Sequence, residues 1–477
     1  MAKSTRGRSL SELPSAFELF HLPARQLDDA ELSRVIESLA TQEDMNLLRD
    51  VLRGARTVVL EREYIDKDYR NVYSAFYSKK FSQSSSRAAR LHLFDVALPE
   101  RVVFGGDSSQ GIASYLEQHP PTGGRPSTPG STAGYLGNLV LRPTEYSRIG
   151  RCLLDPRRVQ RLAASSAACM LARYPATLLG ERLVVSAFPH QSQDGETHLC
   201  AETALWSLLR YLSQRYPRYA EKYPHDVTQL NTDLQYGRSL PSHGLYMSQV
   251  TEMIGQYGVG AESYDPDRLE DSYRDVTTGW ASIQPPPLSQ ARTFHAELMH
   301  VLATCLESGI PSIVQVPEHA IVAVGAAYDP TAPSVQRPGR MRRSTDFLTH
   351  LLVNDDNCAP YQLIGRGRTA SGYRFRFADL QSIVVPLPDR ILLRPEVAEV
   401  MATDILNSLG PPTPDRTFVR RQFCTSSKNF KEHQRAHPDP FSLKLLQLPM
   451  PHFLWITEIT SSRSSSERPS SRGAGWN

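Results

Sequence analysis

The spacing of apolar residues in the first third of the chain predicts two helices and two strands. An apolar stripe predicts a helix over about residues 29–39, and a second helix follows from Thr41 to a stop at Gly54. The β-branched run Thr57–Tyr64 is typical of a strand, as is Gly134–Pro143 with turn residues on both sides. Helices and strands therefore mix in this region.

The second half of the chain shows a clearer alternation of helix and strand. Apolar residues at helical spacing predict an amphipathic helix that ends at Pro217, and Thr293–Ser308 repeats the pattern. Three apolar segments then predict buried strands, Pro311–Val316, His319–Tyr328 and Phe347–Val353. A two-residue turn separates the first two strands, so we expect them to pair as a hairpin.

These patterns predict an α+β protein with more than one domain. The expected divisions are a disordered N-terminus at 1–26, an α/β module of unknown role at 27–185, a second module at 186–410, a C-terminal extension at 411–460 and a disordered tail at 461–477. The extension contains the apolar cluster Pro449–Ile459, which predicts a further strand.

Charge and hydropathy narrow the classes of partner. Lys and Arg number 53 against 50 Asp and Glu, so the net charge of +3 does not favour a nucleic-acid partner. The most apolar stretch of 20 residues, Gly309–Tyr328, contains prolines, a glutamate and a histidine, which predicts no membrane span. Since no signal-peptide pattern opens the chain, the expected location is the cytoplasm.

The six cysteines do not predict a disulfide framework or a metal site. They are widely spread and include no CxxC pair. His198 and Cys200 form an H-x-C pair, but no second pair at zinc spacing accompanies it, so we expect no metal. No GxGxxG or GxxxxGK[ST] pattern is present, and the sequence predicts no nucleotide or other cofactor.

One cysteine is distinguished by its position at the start of a helix. With Thr197 as the expected N-cap, Cys200 falls in the first turn of the helix that ends at Pro217. The positive end of the helix dipole stabilises a thiolate, which favours a nucleophilic role for Cys200. The alternative is a buried cysteine that only packs in the core.

Two further residues give Cys200 a chemical context. His319 opens one buried strand, and Asp355 follows the next strand along the chain. A cysteine hydrolase needs this set, because a base must deprotonate the thiol and a third group must orient the imidazole. Gln193, upstream of the cysteine, could join the backbone N–H of Cys200 in an oxyanion hole.

The order of these residues resembles the papain-like cysteine peptidase fold, and most closely its C39-like branch of bacterial proteins. The resemblance rests on CAETALWSLLRYL at 200–212, on GIPSIVQV and HAIVAVGAAYD at 309–329, and on LLVNDD at 351–356. It implies a central helix packed on an antiparallel sheet, within about 186–360. By match, Cys200 is the nucleophile, His319 the base, Asp355 the orienting acid and Gln193 the oxyanion donor.

The resemblance implies a hydrolase of peptide or isopeptide bonds that works through an acyl-thioester. The expected partner is a peptide or protein substrate, and the oligomeric state is left open. Two alternatives use the same scaffold: an acyltransferase that passes the acyl group to an amine or thiol, and an inactive binding or scaffolding protein. Close approach of Cys200 and His319 would favour an active site over the inactive scaffold.

Overall fold

A computed structural model of the protein describes most of the chain. The described residues are 16–23, 29–36, 44–82, 84–105, 111–120, 128–156, 166–230, 240–265, 269, 294–329, 342–367, 372–408, 416–438 and 440–463. The expected tail therefore lies outside the described residues from 464 onward, and so do the first 15 residues of the expected disordered N-terminus.

The chain divides into two compact units. The first comprises Met1–Arg158 and Arg173–Gly195, and the second comprises Val159–Ala172 and Glu196–Asn477. The sequence pattern placed the boundary between modules at 185/186, whereas the units meet at 195/196. The segment Val159–Ala172 also belongs to the second unit, because its residues 166–169 pair with a strand of that unit.

A five-stranded antiparallel sheet forms the centre of the first unit. Its strands follow one another in chain order: β1 (Phe17–His21), β2 (Thr57–Tyr64), β3 (Ala88–Phe94), β4 (Tyr135–Leu141) and β5 (Ile149–Leu154). The helices are α1 (Asp29–Ile36), α2 (Asp44–Leu52), α3 (Lys67–Ala75), α4 (Glu100–Val103) and α5 (Ile112–Gln118). Because all its strands pair antiparallel, this unit is α+β, which corrects the predicted α/β module.

The described part of the N-terminal segment is also ordered, contrary to the prediction for residues 1–26. Strand β1 pairs along its whole length with β2, from Phe17 opposite Glu61 to His21 opposite Thr57. A five-residue strand is too short to show a clear period-two pattern, so its order comes from the neighbouring strand.

A seven-stranded sheet forms the centre of the second unit. Its strands are β6 (Ser166–Cys169), β9 (Gly260–Tyr264), β10 (Ser312–Val316), β11 (His319–Tyr328), β13 (Leu348–Asn354), β14 (Gln362–Gly365) and β15 (Ser382–Leu387). A separate hairpin, β7 (Ala172–Leu178) and β8 (Glu181–Ala187), follows β6 in the chain and belongs to the first unit from Arg173 onward, and β12 (Arg342–Arg343) lies outside the seven-stranded sheet. The order is β14-β13-β11-β10-β15-β9, with β6 on β11, so β11 is central.

Helices pack on this sheet through apolar side chains. Those on the sheet are α6 (Cys200–Arg215), α8 (Met247–Gln256) and α9 (Phe294–Glu307), whereas α7 (Pro224–Leu230) packs on α6 and α10 (Pro395–Ser408) packs on α9. Helix α6 lies against β10 and β11, and its residues 201–212 are all buried. A helix buried on every face is a core element, so its first residue is fixed relative to the sheet.

The C-terminal segment folds as part of the second unit. Strands β16 (Arg416–Ser426) and β17 (Phe453–Arg463) form a long antiparallel pair that β12 extends. Helices α11 (Ser427–Ala436) and α12 (Ser442–Gln447) connect the two strands. The described start of the expected tail, residues 461–463, belongs to β17, because it pairs with the first residues of β16.

The fold class agrees with the prediction at its coarser level. The described residues form a mixed α+β structure whose sheets are mostly antiparallel. None of the helices among them is both long and apolar enough to cross a membrane.

Candidate active site

Strand pairing in the central sheet brings a histidine and an acidic pair together. Strands β11 and β13 are antiparallel, with Val322 opposite Asn354. The start of β11 therefore lies beside the end of β13. His319 is the first residue of β11, and Asp355 directly follows β13. Antiparallel topology thus joins two residues that are 36 positions apart in the chain.

The third residue of the site, Cys200, is the first residue of the buried helix α6. Leu199 is the N-cap with extended backbone, and its N–H donates to Glu202 Oε2 at 3.1 Å. This corrects the expected cap, since Thr197 instead contacts His198, with 2.6 Å between Oγ1 and Nδ1. The correction places Cys200 closer to the helix N-terminus than predicted, where the dipole favours a negative charge.

The imidazole of His319 lies between the thiol and a carboxylate. The side chain of Cys200 is close enough to the ring to help raise the pKa of His319, and Nε2 of the ring lies 2.8 Å from Asp355 Oδ1. Because Nε2 is directed at the carboxylate, Nδ1 is the ring nitrogen available to the thiol. The structure therefore brings together Cys200, His319 and Asp355, the three residues that the sequence singled out.

The surroundings of His319 favour its protonated form. Burial lowers the pKa of His319, but the neighbouring side chains of Asp355, Asp356 and Cys200 outweigh burial and raise that pKa to about 11. The side chain is only 7% exposed, so water screens these contacts little. The imidazolium is thus held beside the side chain of Cys200.

Asp355 is fully buried and is fixed by donors besides the histidine. The backbone N–H of Asn357 donates to its Oδ1 at 3.0 Å, and the hydroxyl of Tyr373 donates to its Oδ2 at 2.7 Å. Burial raises the pKa of Asp355, but the contact with His319 and these hydrogen bonds lower it to about 2. The carboxylate stays ionised and cannot rotate away from the imidazole.

The structure adds a second carboxylate that the sequence analysis did not single out. Asp356 Oδ1 lies 3.1 Å from Nε2 of His319, and Asp356 is 5% exposed. Among the described residues neither of its carboxylate oxygens has a well-formed hydrogen bond, because the N–H of His319 is directed at Asp355. Burial, together with the charge of Asp355, raises the pKa of Asp356. The run Asn354-Asp355-Asp356 was the available signal.

Residues 373–375, a segment with aromatic and cationic side chains, lie against the histidine. The sequence did not indicate this contact. The ring of Phe375 stacks on the imidazole of His319, with centroids 6.2 Å apart and planes 20° apart. Arg374 places its guanidinium 4.4 Å from the centre of the Phe375 ring. Alternating Tyr, Arg and Phe at 373–375 gave a weak signal, because nothing local indicates which strand end such a segment covers.

The predicted oxyanion donor, Gln193, belongs to the first unit and is half-buried there. Its neighbour Gln191 is 1% exposed, and its amide nitrogen has no hydrogen-bond partner among the described residues. The role of Gln193 stays a prediction.

Comparison with known proteins does not assign the chain to a family. No protein-family model matches it, and no curated protein matches it. The resemblance to papain-like peptidases therefore depends on the motifs around Cys200, His319 and Asp355 and on their geometry.

Proposed function

We propose that this chain is a papain-like cysteine hydrolase that cleaves peptide or isopeptide bonds. The observation that carries the proposal is the position of the His319 ring, between the thiol of Cys200 and the carboxylate of Asp355. Nucleophile, base and orienting acid thus lie next to one another, in the order that a cysteine hydrolase needs. The helix start on an antiparallel sheet supports the papain-like assignment.

Activation of the nucleophile is a proton transfer between Cys200 and His319. His319 takes the proton of the Cys200 thiol, and a thiolate–imidazolium pair results. The Asp355 carboxylate stabilises the imidazolium through Nε2 and keeps the ring in one orientation. The helix dipole of α6 stabilises the thiolate from the other side.

The covalent steps follow from the same groups. The thiolate attacks the carbonyl carbon of the amide, and the oxygen becomes an oxyanion that the backbone N–H of Cys200 can stabilise. His319 then gives its proton to the leaving amine, the C–N bond breaks, and an acyl-thioester remains on Cys200. A water molecule gives a proton to His319, attacks the thioester and releases the acid.

The contact between Cys200 and His319 also bears on the alternatives. The Cys200 side chain is close enough to His319 to raise the pKa of the imidazole, and this closeness supports an active site over an inactive scaffold. Acyl transfer passes through the same acyl-thioester, so the products distinguish acyl transfer from hydrolysis. An added amine that appears in the product instead of water would indicate a transferase.

Selective alkylation tests the nucleophile directly. Cys169 and Cys358 are half-buried like Cys200, so they serve as internal controls for access. With iodoacetamide at pH 7, we expect Cys200 to react at least about tenfold faster, because an ordinary thiol with a pKa of about 8.5 is only a few per cent thiolate. The readout is the modified fraction of each cysteine peptide by mass spectrometry.

The variant His319→Ala completes this test. It should slow alkylation of Cys200 to the rate of Cys169 and Cys358 and leave those two rates unchanged. Equal rates at the three cysteines in the wild-type protein would overturn the assignment of Cys200 as the nucleophile.

A further inference from the structure

Three potential metal-ligand atoms converge at the Nε2 edge of the His319 imidazole. They come from His319, Asp355 and Asp356, and they all lie within 4.8 Å of one another. From Nε2 of His319, the distances to the two carboxylate oxygens are 2.8 and 3.1 Å. The sulfur of Cys200 does not belong to this group.

A second observation points to a cation at this place. Asp356 is 5% exposed, and within the described residues both of its oxygens lack a well-formed hydrogen bond. A buried carboxylate in this condition is unfavourable, because it has lost water without gaining a full partner. The carboxylate oxygens of Asp355 and Asp356 therefore offer more hydrogen-bond acceptors than the single Nε2–H of His319 can satisfy.

We propose that a divalent transition cation of the zinc type binds to His319 Nε2, Asp355 and Asp356, and that it inhibits the enzyme. The inhibitory part rests on the proposed function, whereas the binding does not. The cation would take the place of the proton on Nε2 and would give both carboxylates a ligand role.

The donor set fits this class of ion. One imidazole nitrogen and two carboxylate oxygens suit Zn²⁺ or Co²⁺, whereas Mg²⁺ prefers oxygen ligands and retained waters. Bonds of about 2.0–2.2 Å at tetrahedral angles separate ligand atoms by roughly 3.3 Å, so the site must open by about half an ångström. A water can fill the fourth position.

The surroundings are suited to hold the ligands in place. The backbone N–H of Asn357 and the hydroxyl of Tyr373 both donate to Asp355, which fixes that carboxylate from outside the site. Hydrogen bonds of this kind orient metal-ligating carboxylates. The ring of Phe375 stacks on the imidazole and limits its rotation.

Binding at Nε2 would stop the chemistry without touching the nucleophile. The proton on Nε2 leaves to solvent as the cation binds, and Nδ1 keeps the only remaining ring proton. To protonate the leaving amine, the ring would then have to become a metal-bound imidazolate, which is unfavourable. The histidine can no longer alternate between imidazolium and imidazole, so turnover stops.

Zinc binding to the full chain tests the site. Competition with a chromophoric chelator should give one tight Zn²⁺ per chain, and Asp356→Asn should weaken it by about tenfold or more. Asp389→Asn is the matched control, because Asp389 is half-exposed and pairs with Arg218 on the surface. The control should bind as the wild type does, and equal binding by Asp356→Asn would overturn the site.

The variant Cys200→Ser separates this site from ordinary binding of zinc to a reactive thiol. We expect it to keep the wild-type affinity, and wild-type protein loaded with Co²⁺ should show no thiolate-to-metal absorption band. A band that disappears in Cys200→Ser would overturn the proposal, and this readout remains valid if Asp356→Asn does not fold.

Activity measurements separate the failure of this proposal from the failure of the proposed function. Stoichiometric Zn²⁺ should inhibit the wild type, and a chelator should restore activity. Inhibition of Asp356→Asn, scaled to its own metal-free rate, should need about tenfold more Zn²⁺. Full activity of the zinc-loaded wild type would overturn the inhibition, whereas a metal-free wild type without hydrolase activity would overturn the proposed function alone.

Discussion

At the scale of residues, the site depends on how completely Asp355 is surrounded. This carboxylate accepts from a backbone N–H and from Tyr373, and it contacts His319. Each donor removes a direction in which the carboxylate could turn, so the imidazole has one favoured position. Orientation of this kind accounts for a large share of catalysis by hydrogen-bonded triads.

Removal of the Tyr373 hydroxyl should therefore impair activity beyond its effect on stability. Tyr373→Phe leaves Asp355 Oδ2 without its 2.7 Å donor, and we expect a loss of about 1.5–3 kcal/mol in the free energy of unfolding. With the carboxylate less constrained, kcat should fall several-fold while KM changes little. Urea unfolding and steady-state kinetics measure the two effects.

The chain offers a matched control for this variant. Tyr264 is also buried, and its hydroxyl donates to the carboxylate of Glu396 at 2.9 Å. Tyr264→Phe should lose stability to a similar extent and keep its kcat. Equal losses of kcat in both variants would indicate that stability alone explains the effect of Tyr373.

The sequence identified some of these residues and missed others for physical reasons. Cys200, His319 and Asp355 stand at the ends of elements with strong apolar patterns, so their positions could be read from the chain. Asp356, Tyr373 and Phe375 act through contacts that depend on how loops return to the sheet. Local sequence patterns contain no information on such returns.

At the scale of elements, β11 pairs with β10 along its first half and with β6 along its second half. Strand β10 pairs with residues 319–323 of β11, and β6 pairs with residues 325–328. At Gly325, an added Cβ would lie 2.3 Å from the carbonyl oxygen of Ala168. Only glycine allows the two backbones to approach this closely.

Gly325→Ala should thus separate β6 from the sheet. We expect a loss of about 1–3 kcal/mol in the free energy of unfolding, measured with urea, because the backbone itself must shift. In helix α8, Gly255→Ala meets nothing within 4 Å and should add about 0.5–1 kcal/mol. A neutral Gly325→Ala would contradict the tight pairing of β6 and β11.

A buried ion cluster connects helices α9 and α10 with strands β12 and β16. Glu399 lies 3.5 Å from His300 Nε2 and 3.1 Å from Arg343 Nε, and it also pairs with Arg420. Burial raises the pKa of Glu399, but His300, Arg343 and Arg420 outweigh burial and lower that pKa well below its usual range. The cluster is a pH-dependent contribution to stability.

The variant Glu399→Gln tests this contribution. Since the folded-state pKa of Glu399 is depressed, its stabilisation is complete above the unfolded pKa of about 4.3 and is lost as the pH falls through the folded value. The wild type should exceed Glu399→Gln in the free energy of unfolding at pH 7, and the difference should narrow below about pH 4. A difference independent of pH would contradict the charged state of Glu399.

At the scale of the whole molecule, the sequence predicts the class and the core elements better than the boundaries. The predicted strands Thr57–Tyr64 and His319–Tyr328 coincide with β2 and β11, because β-branched runs bounded by turns are strong signals. The unit boundary at 195/196 and the crossing of β6 into the second unit depend on strand pairing between distant segments. No composition change marks either one.

Trapping of the acyl-enzyme is the most direct test of Cys200 as the nucleophile. The protein is mixed with an activated ester, a p-nitrophenyl acyl ester, and quenched in acid, and its cysteine peptides are analysed by mass spectrometry. We expect one acyl group on Cys200 of the wild type, much slower acylation in His319→Ala and none at that position in Cys200→Ser. Acylation of Cys169 or Cys358 in place of Cys200, or wild-type and His319→Ala rates that are equal, would contradict it.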